Sequence, residues 1–295
     1  HDAVGRLVGI EHRRGEAWQT RFEYQLDLEG NRTALTETTT ALSTYGLPAL
    51  GREEGAGGAE GSAGSGLGPL GGAIQYGYDA GDRLVEARYE NGDRYQYAYD
   101  AVGNLTAYTV TVQGVEAEVT SYSYDDADRL TAVDGTPISY DGRGNQLGDG
   151  TWTYSYDGAG RLVRAASLTA THVYTYNGDG LLVAQNLDGV ETVLIWDQAL
   201  ALPQVLGTSA GLRALYGLGR IGVEQGGAWS YAQTDALGSV RQWTDAAGAV
   251  VGLQGYAPYG EPLVPLGPPL APWGYTGEWE EPTGLVYLRA RWYSP

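Results

Sequence analysis

Several stretches of this chain have residue types and spacings that could do chemistry. Gly207-Thr-Ser-Ala-Gly211 carries the Gly-x-Ser-x-Gly spacing of a nucleophile elbow, where a strained strand-to-helix turn presents a serine to a base. That order needs a histidine later in the chain. The histidines are His1, His12 and His172, all before Ser209, so a small-residue hairpin turn is the better reading. Gly217-Leu-Gly-Arg-Ile-Gly222 has the dinucleotide-loop spacing, but the following Val-Glu-Gln-Gly-Gly is too glycine-rich for the helix whose N-terminus would hold a pyrophosphate. Glu280 and Glu281 are adjacent. On a strand they point to opposite faces, so they make a poor acid/base pair and are expected to flank a turn at Pro282-Thr283-Gly284. Aspartates that recur one per turn are too dispersed for a calcium loop, which gathers several carboxylates. With no cysteine and no histidine pair, no metal site is expected. No catalytic residue and no cofactor are assigned.

The elements that carry these residues are written in the composition. The 295 residues include 46 glycines, 23 tyrosines, 8 tryptophans and one phenylalanine. Tyrosine at this level, with this much glycine, favours strands and turns. The formal net charge is −18 and every basic side chain is arginine. An acidic surface disfavours nucleic acid and anionic membranes. No apolar run approaches the roughly 20 residues of a spanning helix. The chain opens at His1 inside a repeat and is expected to be an internal or processed part of a longer protein.

One phrase recurs: Tyr-x-Tyr-Asp, then glycine three residues on, then Arg-Leu or Asn-Leu. It reads Tyr76-Gly-Tyr78-Asp79, then Tyr97-Ala-Tyr99-Asp100 with Gly103 and Tyr122-Ser-Tyr124-Asp125. Further copies are Tyr154-Ser-Tyr156-Asp157 with Gly160, and Tyr174-Thr-Tyr176 before Asn177. Asp2, Asp27 and Asp141 head looser copies. From Asp79 to Asn177 the steps are 21, 25, 16, 16 and 20 residues. Each unit is predicted to be a β-hairpin. Tyr-x-Tyr shares one strand face, Asp accepts backbone N–H groups at the turn, and glycine takes the positive-φ place that closes it. A lone hairpin is marginal in water, so successive hairpins must pair edge to edge. The tyrosines are expected to form cross-strand ladders. The competing use is a sugar-stacking platform, for which Tyr97 and Tyr99 are the test pair.

Between Asp27 and Asp79 the phrase skips. Gly46 to Ala73 is glycine-rich and reads as a loop or linker. The threonine-rich stretch from Thr33 favours strand. Later, Thr192 to Trp196 reads as an apolar strand. Asp235-Ala-Leu-Gly238 and Asp245-Ala-Ala-Gly248 repeat the hairpin turn. Arg289 and Arg291 would share one face of a strand with Tyr287, either pairing with carboxylates or seating against an inner wall.

The Tyr-Asp phrases resemble YD repeats. The later phrases "TDALGSVRQWTDAAGAVV", "YAPYGEP" and "YTGEWEEPTGLVYLRARWYSP" resemble the core signature of Rhs proteins. The likeness covers nearly the whole chain outside the Gly46–Ala73 insert. It marks Asp235, Gly238, Asp245, Gly248, Tyr275, Gly277, Pro282, Gly284, Arg289 and Arg291 as core positions. It implies an all-β protein of stacked hairpins wound into a shell, with an array over 1–200 and a core block over 201–295. Its relatives include bacterial Rhs toxins, wall-associated proteins, cocoon subunits of insecticidal complexes and animal teneurins. In the toxins the shell encloses a C-terminal effector, the core block plugs one end, and an aspartate-dependent self-cleavage frees the cargo. This chain differs in carrying Glu281 before Pro282 where the family has aspartate. The cleavage motif is expected beyond Pro295, and about eight repeats are few for a closed chamber.

The expected role is therefore structural, as a shell segment of a secreted or surface protein. Its partners would be its own C-terminal cargo or further repeats of the parent chain. The alternatives are a glycan-binding adhesin, an autoprotease whose catalytic part lies outside this stretch, and a self-assembling scaffold whose open edges template pairing.

Overall fold

A computed structural model describes residues 1–39, 71–199, 201–217, 219–266 and 270–295. The described chain is all β. Its strands form sheets of ten, fourteen and three strands, and in each the hydrogen-bonded order is the chain order. That meander is the consequence of local hairpins pairing with the next hairpin along. The greater part of the glycine-rich insert, 46–70, lies outside the described residues. Its predicted end overlaps a strand, Gly72–Tyr78, whose Ala73 pairs with Thr36.

The chain divides into two compact units, His1–Thr120 with Gln233–Leu270, and Ser121–Ala232 with Ala271–Pro295. In the first unit, antiparallel strands run from Gly9–Arg14 through Ala17–Leu26, Arg32–Thr39, Gly72–Tyr78, Leu84–Tyr89 and Arg94–Tyr99 to Leu105–Val112. Alternation sets the faces: in Arg94–Tyr99, Tyr95 and Tyr97 are buried while Gln96 and Ala98 face solvent. Tyr97 lies directly opposite Tyr108 in the register, and their rings stack at 5.5 Å. Tyr95 stacks on Tyr108 at 6.1 Å. This is the predicted cross-strand ladder, filled out by Phe22, Leu35, Ile74 and Ala87. On the opposite face Glu11, Arg13, Arg21 and Glu23 form ion pairs, as do Glu86, Arg88 and Arg94.

The second unit repeats the plan with shorter strands. Thr153–Tyr156, Leu162–Ala166, Thr171–Tyr176, Leu182–Leu187 and Val190–Asp197 pair in sequence. Tyr154, Leu162, Tyr174, Leu182 and Leu194 face inward. The expected strand at 192–196 is the middle of Val190–Asp197. The 16-residue steps correspond to very short strands, Ser139–Tyr140 and Gln146–Gly148. The 25-residue step from Asp100 to Asp125 spans the long Leu105–Val112 and Val115–Tyr124. Repeat length thus varies through strand length while the turn is kept.

The turn itself explains the phrase. Asp157 Oδ1 accepts the N–H groups of Ala159 and Arg161, and its Oδ2 accepts Arg161 Nε at 2.7 Å. The Asp157 carbonyl accepts Gly160 N–H, and Asp157 N–H donates to Arg161 O. Gly160 sits at φ 76°. Where glycine is absent, Asp82 and Asp128 take the same place at φ 58°, because a short polar side chain tolerates this region. The two glycines of the Asp157 turn should therefore respond in opposite senses. Gly160→Ala is expected to cost about 1–2 kcal/mol, whereas Gly158, with no positive φ and open space around its Cα, should accept alanine neutrally or with a gain of up to about 1 kcal/mol. Urea midpoints of the two variants measure the contrast.

Candidate functional site

Two features are built from the repeat and the later phrases: a coupling between neighbouring hairpins, and a seat for the core segments on the inner face. In the coupling, the last tyrosine of four of the phrases reaches back to the preceding hairpin. Tyr78 Oη donates to Arg32 O, Tyr99 to Leu84 O at 2.8 Å, Tyr140 to Leu130 O, and Tyr176 to Leu162 O at 2.7 Å. The arginine that follows the turn reaches forward. Arg83 bonds its own Asp79, lies 4.9 Å over the Tyr99 ring and donates Nη1 to Asp100 O. Arg161 does the same with Asp157, Tyr176 and Asn177. The backbone N–H and guanidinium of Arg161 hold the Asp157 carboxyl below the usual carboxylate range. Each arginine thus ties its own turn to the next one.

In the second unit the C-terminal segment forms a small sheet of Trp279–Glu280, Val286–Tyr287 and Trp292–Tyr293. It packs on the aromatic face of the array. Trp292 lies 4.9 Å from both Tyr174 and Tyr287, and its Nε1 donates to Tyr176 Oη at 3.1 Å. The Leu182 N–H donates to Tyr287 Oη at 2.9 Å, in full burial. Two arginines clamp in opposite directions. Arg220, on the wall, stacks 4.1 Å over Trp273 and donates to Gly277 O. Arg289, on the C-terminal segment, donates to Pro203 O and pairs with Glu278 at 2.7 Å. The residual cavity among Trp196, Tyr216, Arg220, Trp273 and Arg289 is about 10 Å³, room for roughly one water.

In the first unit the inner face is covered by the strands Val240–Asp245 and Val250–Tyr256 and the phrase Tyr256 to Glu261. Tyr259 packs edge-on against Tyr97 at 4.9 Å, and its hydroxyl lies 2.6 Å from that of Tyr99. Tyr99 gives its proton to Leu84 O, so Tyr259 is the donor. Tyr108 Oη donates to Glu261 Oε2 at 3.0 Å. A polar chain runs beneath: Thr39 to Gln242, Gln242 to Gln233, Gln233 to Gln19, and Gln19 to Gly248 O. Beside it Arg241, 4% exposed, pairs with Glu37, 6% exposed, at 2.7 Å, with Asp235 at 3.9 Å. Burial pushes the Glu37 carboxyl up and Arg241 opposes it.

This arrangement, a hairpin strip whose aromatic face is covered by the chain's own core segments, agrees with the comparisons. Residues 72–295 match the family described as Teneurin YD-shell. The chain belongs to the teneurin YD-shell family. The tRNA3(Ser)-specific nuclease WapA of Bacillus spizizenii is 27% identical over 227 residues, 72% of this chain and 10% of that protein. The tRNA nuclease WapA of Bacillus subtilis is 27% identical over 226 residues, in the same proportions. This chain spans about a tenth of the length of either. Among solved structures, the TcdB2–TccC3–Cdc42 crystal structure matches with TM-score 0.70 at 17% identity, over 98% of this chain and 16% of that one. The Tc holotoxin pore of Photorhabdus luminescens matches with TM-score 0.67 at 17% identity and the same coverage. At these identities the likeness concerns the fold. The chain is an Rhs-type shell segment.

Within this YD shell the sequence-marked residues fall into place unevenly. Asp235 and Asp245 head turns closed by Gly238 and Gly248, at φ 85° and 79°. Tyr275 and Gly277 form a single 3-10 turn, the one Arg220 holds. Glu281 opens a turn that Gly284 closes and that contains Pro282, as expected. Arg289 and Arg291 do not share a strand face: they lie in the turn between Val286–Tyr287 and Trp292–Tyr293, with Arg289 at φ 63° and Arg291 exposed. The Arg-Ala-Arg run ends one strand because the chain must reverse before Trp292. Tyr97 and Tyr99 are not an exposed pair either: Tyr97 is 6% exposed beneath Tyr259. Ser209 lies in a hairpin turn, its Oγ accepting Val193 N–H; of the Gly217–Gly222 motif, Gly217 N–H donates to Gly219 O, Leu218 lies outside the described residues, and Gly222 is within the strand Arg220–Gln225. Among the described residues no group of three or more His, Cys, Asp or Glu could hold a metal ion, and no helix is long and apolar enough to cross a membrane. The seat of Arg220 and the buried Arg241–Glu37 pair were missed in the sequence, since nothing local marks a partner so distant along the chain.

The buried pair gives a sharp test. Arg241→Met leaves the Glu37 carboxylate buried and uncompensated and is expected to destabilise by about 3–5 kcal/mol. Adding Glu37→Leu should restore most of that loss, as urea unfolding of the single and double variants would read out.

Proposed function

We propose that this chain forms wall and end-plug of a secreted or surface Rhs-type shell whose lumen houses a C-terminal effector of its parent protein. The observation that carries this reading is the seating of both core segments on the aromatic inner face. Such a seat orders the wall's end and directs whatever the parent chain adds there. We assign the segment no catalytic step of its own. The division into an array over 1–200 and a core block over 201–295 belongs to the same proposal. The test is to express the full parent gene and measure intact masses before and after limited protease. A C-terminal piece that stays bound and resists protease is expected. Immediate digestion of that piece would overturn the reading in favour of an open sheet.

A second reading, glycan binding, rests on one pair. Trp229 and Tyr231 stack at 6.4 Å and are half-buried on the strand Ala228–Thr234. The register sets Arg213, Glu224 and Trp229 in one cross-strand row, on the face opposite buried Val223. Rings beside a carboxylate and a guanidinium suit a neutral pyranose. A glycan-array signal lost in Trp229→Ala is the expected result on this reading, and an array without signal removes it.

A further inference from the structure

Glu281 is buried in the second unit as Glu224 is, but Glu224 has Arg213 beside it at 3.1 Å and Glu281 faces an indole. Glu281 is 5% exposed, at the start of the turn between two strands of the C-terminal segment. One carboxyl oxygen, Oε1, accepts the Trp279 indole N–H at 2.8 Å. The other, Oε2, is buried with no hydrogen-bond partner. A carboxylate so placed leaves a charged oxygen unsolvated, while the carboxylic acid leaves only a neutral group.

Among the described residues, no cation compensates the charge. From the wall strand Thr171–Tyr176 the titratable neighbour is Tyr174, which is neutral at ordinary pH and feels Glu281 as a repulsive charge. On its own segment the donor is the Trp279 indole. Arg220 is engaged with Gly277 and Tyr216, and Arg289 with Glu278 and Pro203. The adjacent Glu280 is also inward, its Oε1 accepting Tyr275 N–H at 2.6 Å, against a Gly274 that leaves no room for a Cβ.

We propose that the C-terminal segment 271–295 is a proton-held latch: it seats on the wall of its unit with Glu281 protonated, and loss of that proton loosens the seat.

Burial raises the Glu281 carboxyl to about 7 from an ordinary 4.5, with the Trp279 donor opposing. Burial raises Glu280 in the same direction. The sign follows from linkage. A folded value above the free one gives stabilisation that is complete below about 4.5 and is lost as pH rises to about 7, near tenfold per pH unit, levelling beyond. His172, lowered by burial, acts the opposite way, weakening its unit on acidification. Glu281 is therefore separable by substitution. This latch does not depend on what, if anything, the shell encloses.

Hydrogen exchange on the full 295-residue chain at pH 5.0, 6.0, 7.0 and 8.0, corrected for intrinsic rates, tests it. Peptides from 271–295 should lose protection by about a hundredfold across the series, while peptides from the strand Arg94–Tyr99 should not follow. Glu281→Gln keeps the shape and the indole acceptor without the charge, and should flatten the profile at its acid-side value. If Glu281→Gln does not fold, Trp279→Phe, which removes the donor favouring the carboxylate, should instead carry the loss to higher pH, so that protection at pH 8.0 falls further below its pH 5.0 value than in the wild type. Wild-type protection that is flat with pH, or a Glu281→Gln profile that keeps the wild-type slope, overturns the proposal.

Discussion

The bond on which the molecule depends most is that between a tyrosine hydroxyl and the carbonyl of the preceding hairpin. A two-stranded hairpin cannot bury enough apolar surface to offset the entropy of ordering it. Here no hairpin has to stand alone. Tyr99 ends one unit and satisfies Leu84 O in the one before, while Arg83 from that earlier unit lies over the Tyr99 ring and bonds Asp100 O. The two contacts interlock, so neither hairpin can shift register without breaking both. A sheet built this way needs no long-range instruction to extend, which is the nearest-neighbour logic of repeat proteins.

Extension has a cost on one face. Tyrosines on alternate residues cover one side of the sheet with rings, and that side must be covered. Each unit does so with its own core segment, by different chemistry. The first unit uses hydroxyl, amide and ionic partners: Tyr259 against Tyr99, the glutamine chain through Gln242, and Arg241 on Glu37. The second uses rings and two outward-reaching guanidinia, with Trp292, Tyr287 and Trp273 as the bulk. Buried polar chains have few satisfactory registers, whereas aromatic faces tolerate small slides. The first seat is accordingly specified by bonding geometry, and the second by shape plus the Arg220 and Arg289 clamps.

The sequence disclosed what is local and concealed what is not. Strand alternation, turn position and the glycine requirement all follow from the phrase Tyr-x-Tyr-Asp-x-x-Gly, because each is settled within about nine residues. That the tyrosines would form cross-strand ladders was legible from strand alternation; that Tyr97 meets Tyr108 was not, since Tyr108 lies outside the phrase. The role of the following arginine was not, since its partners, Asp157, Tyr176 and Asn177 for Arg161, include residues of the next repeat. Strand periodicity was also over-extended: Arg289 and Arg291 look like strand positions, but the chain reverses there and Arg289 takes a positive φ. Tyr97 and Tyr99 do not offer the sugar-stacking platform for which they were the test pair, because Tyr259, 160 residues beyond Tyr99, lies on them.

The two seats also differ in how they treat charge, and that difference has a physical origin. Glu37 meets a guanidinium, so its burial yields an ion pair whose worth is mainly in fixing which strand lies where. Glu281 meets an indole, which can donate one hydrogen bond but cannot neutralise a charge. A buried carboxyl facing a cation has a partner that opposes the upward push of burial. A buried carboxyl facing rings keeps its place only while it holds a proton. The first unit is thereby built to stay in register, and the second contains an inward acid, Glu281, that burial raises to about 7.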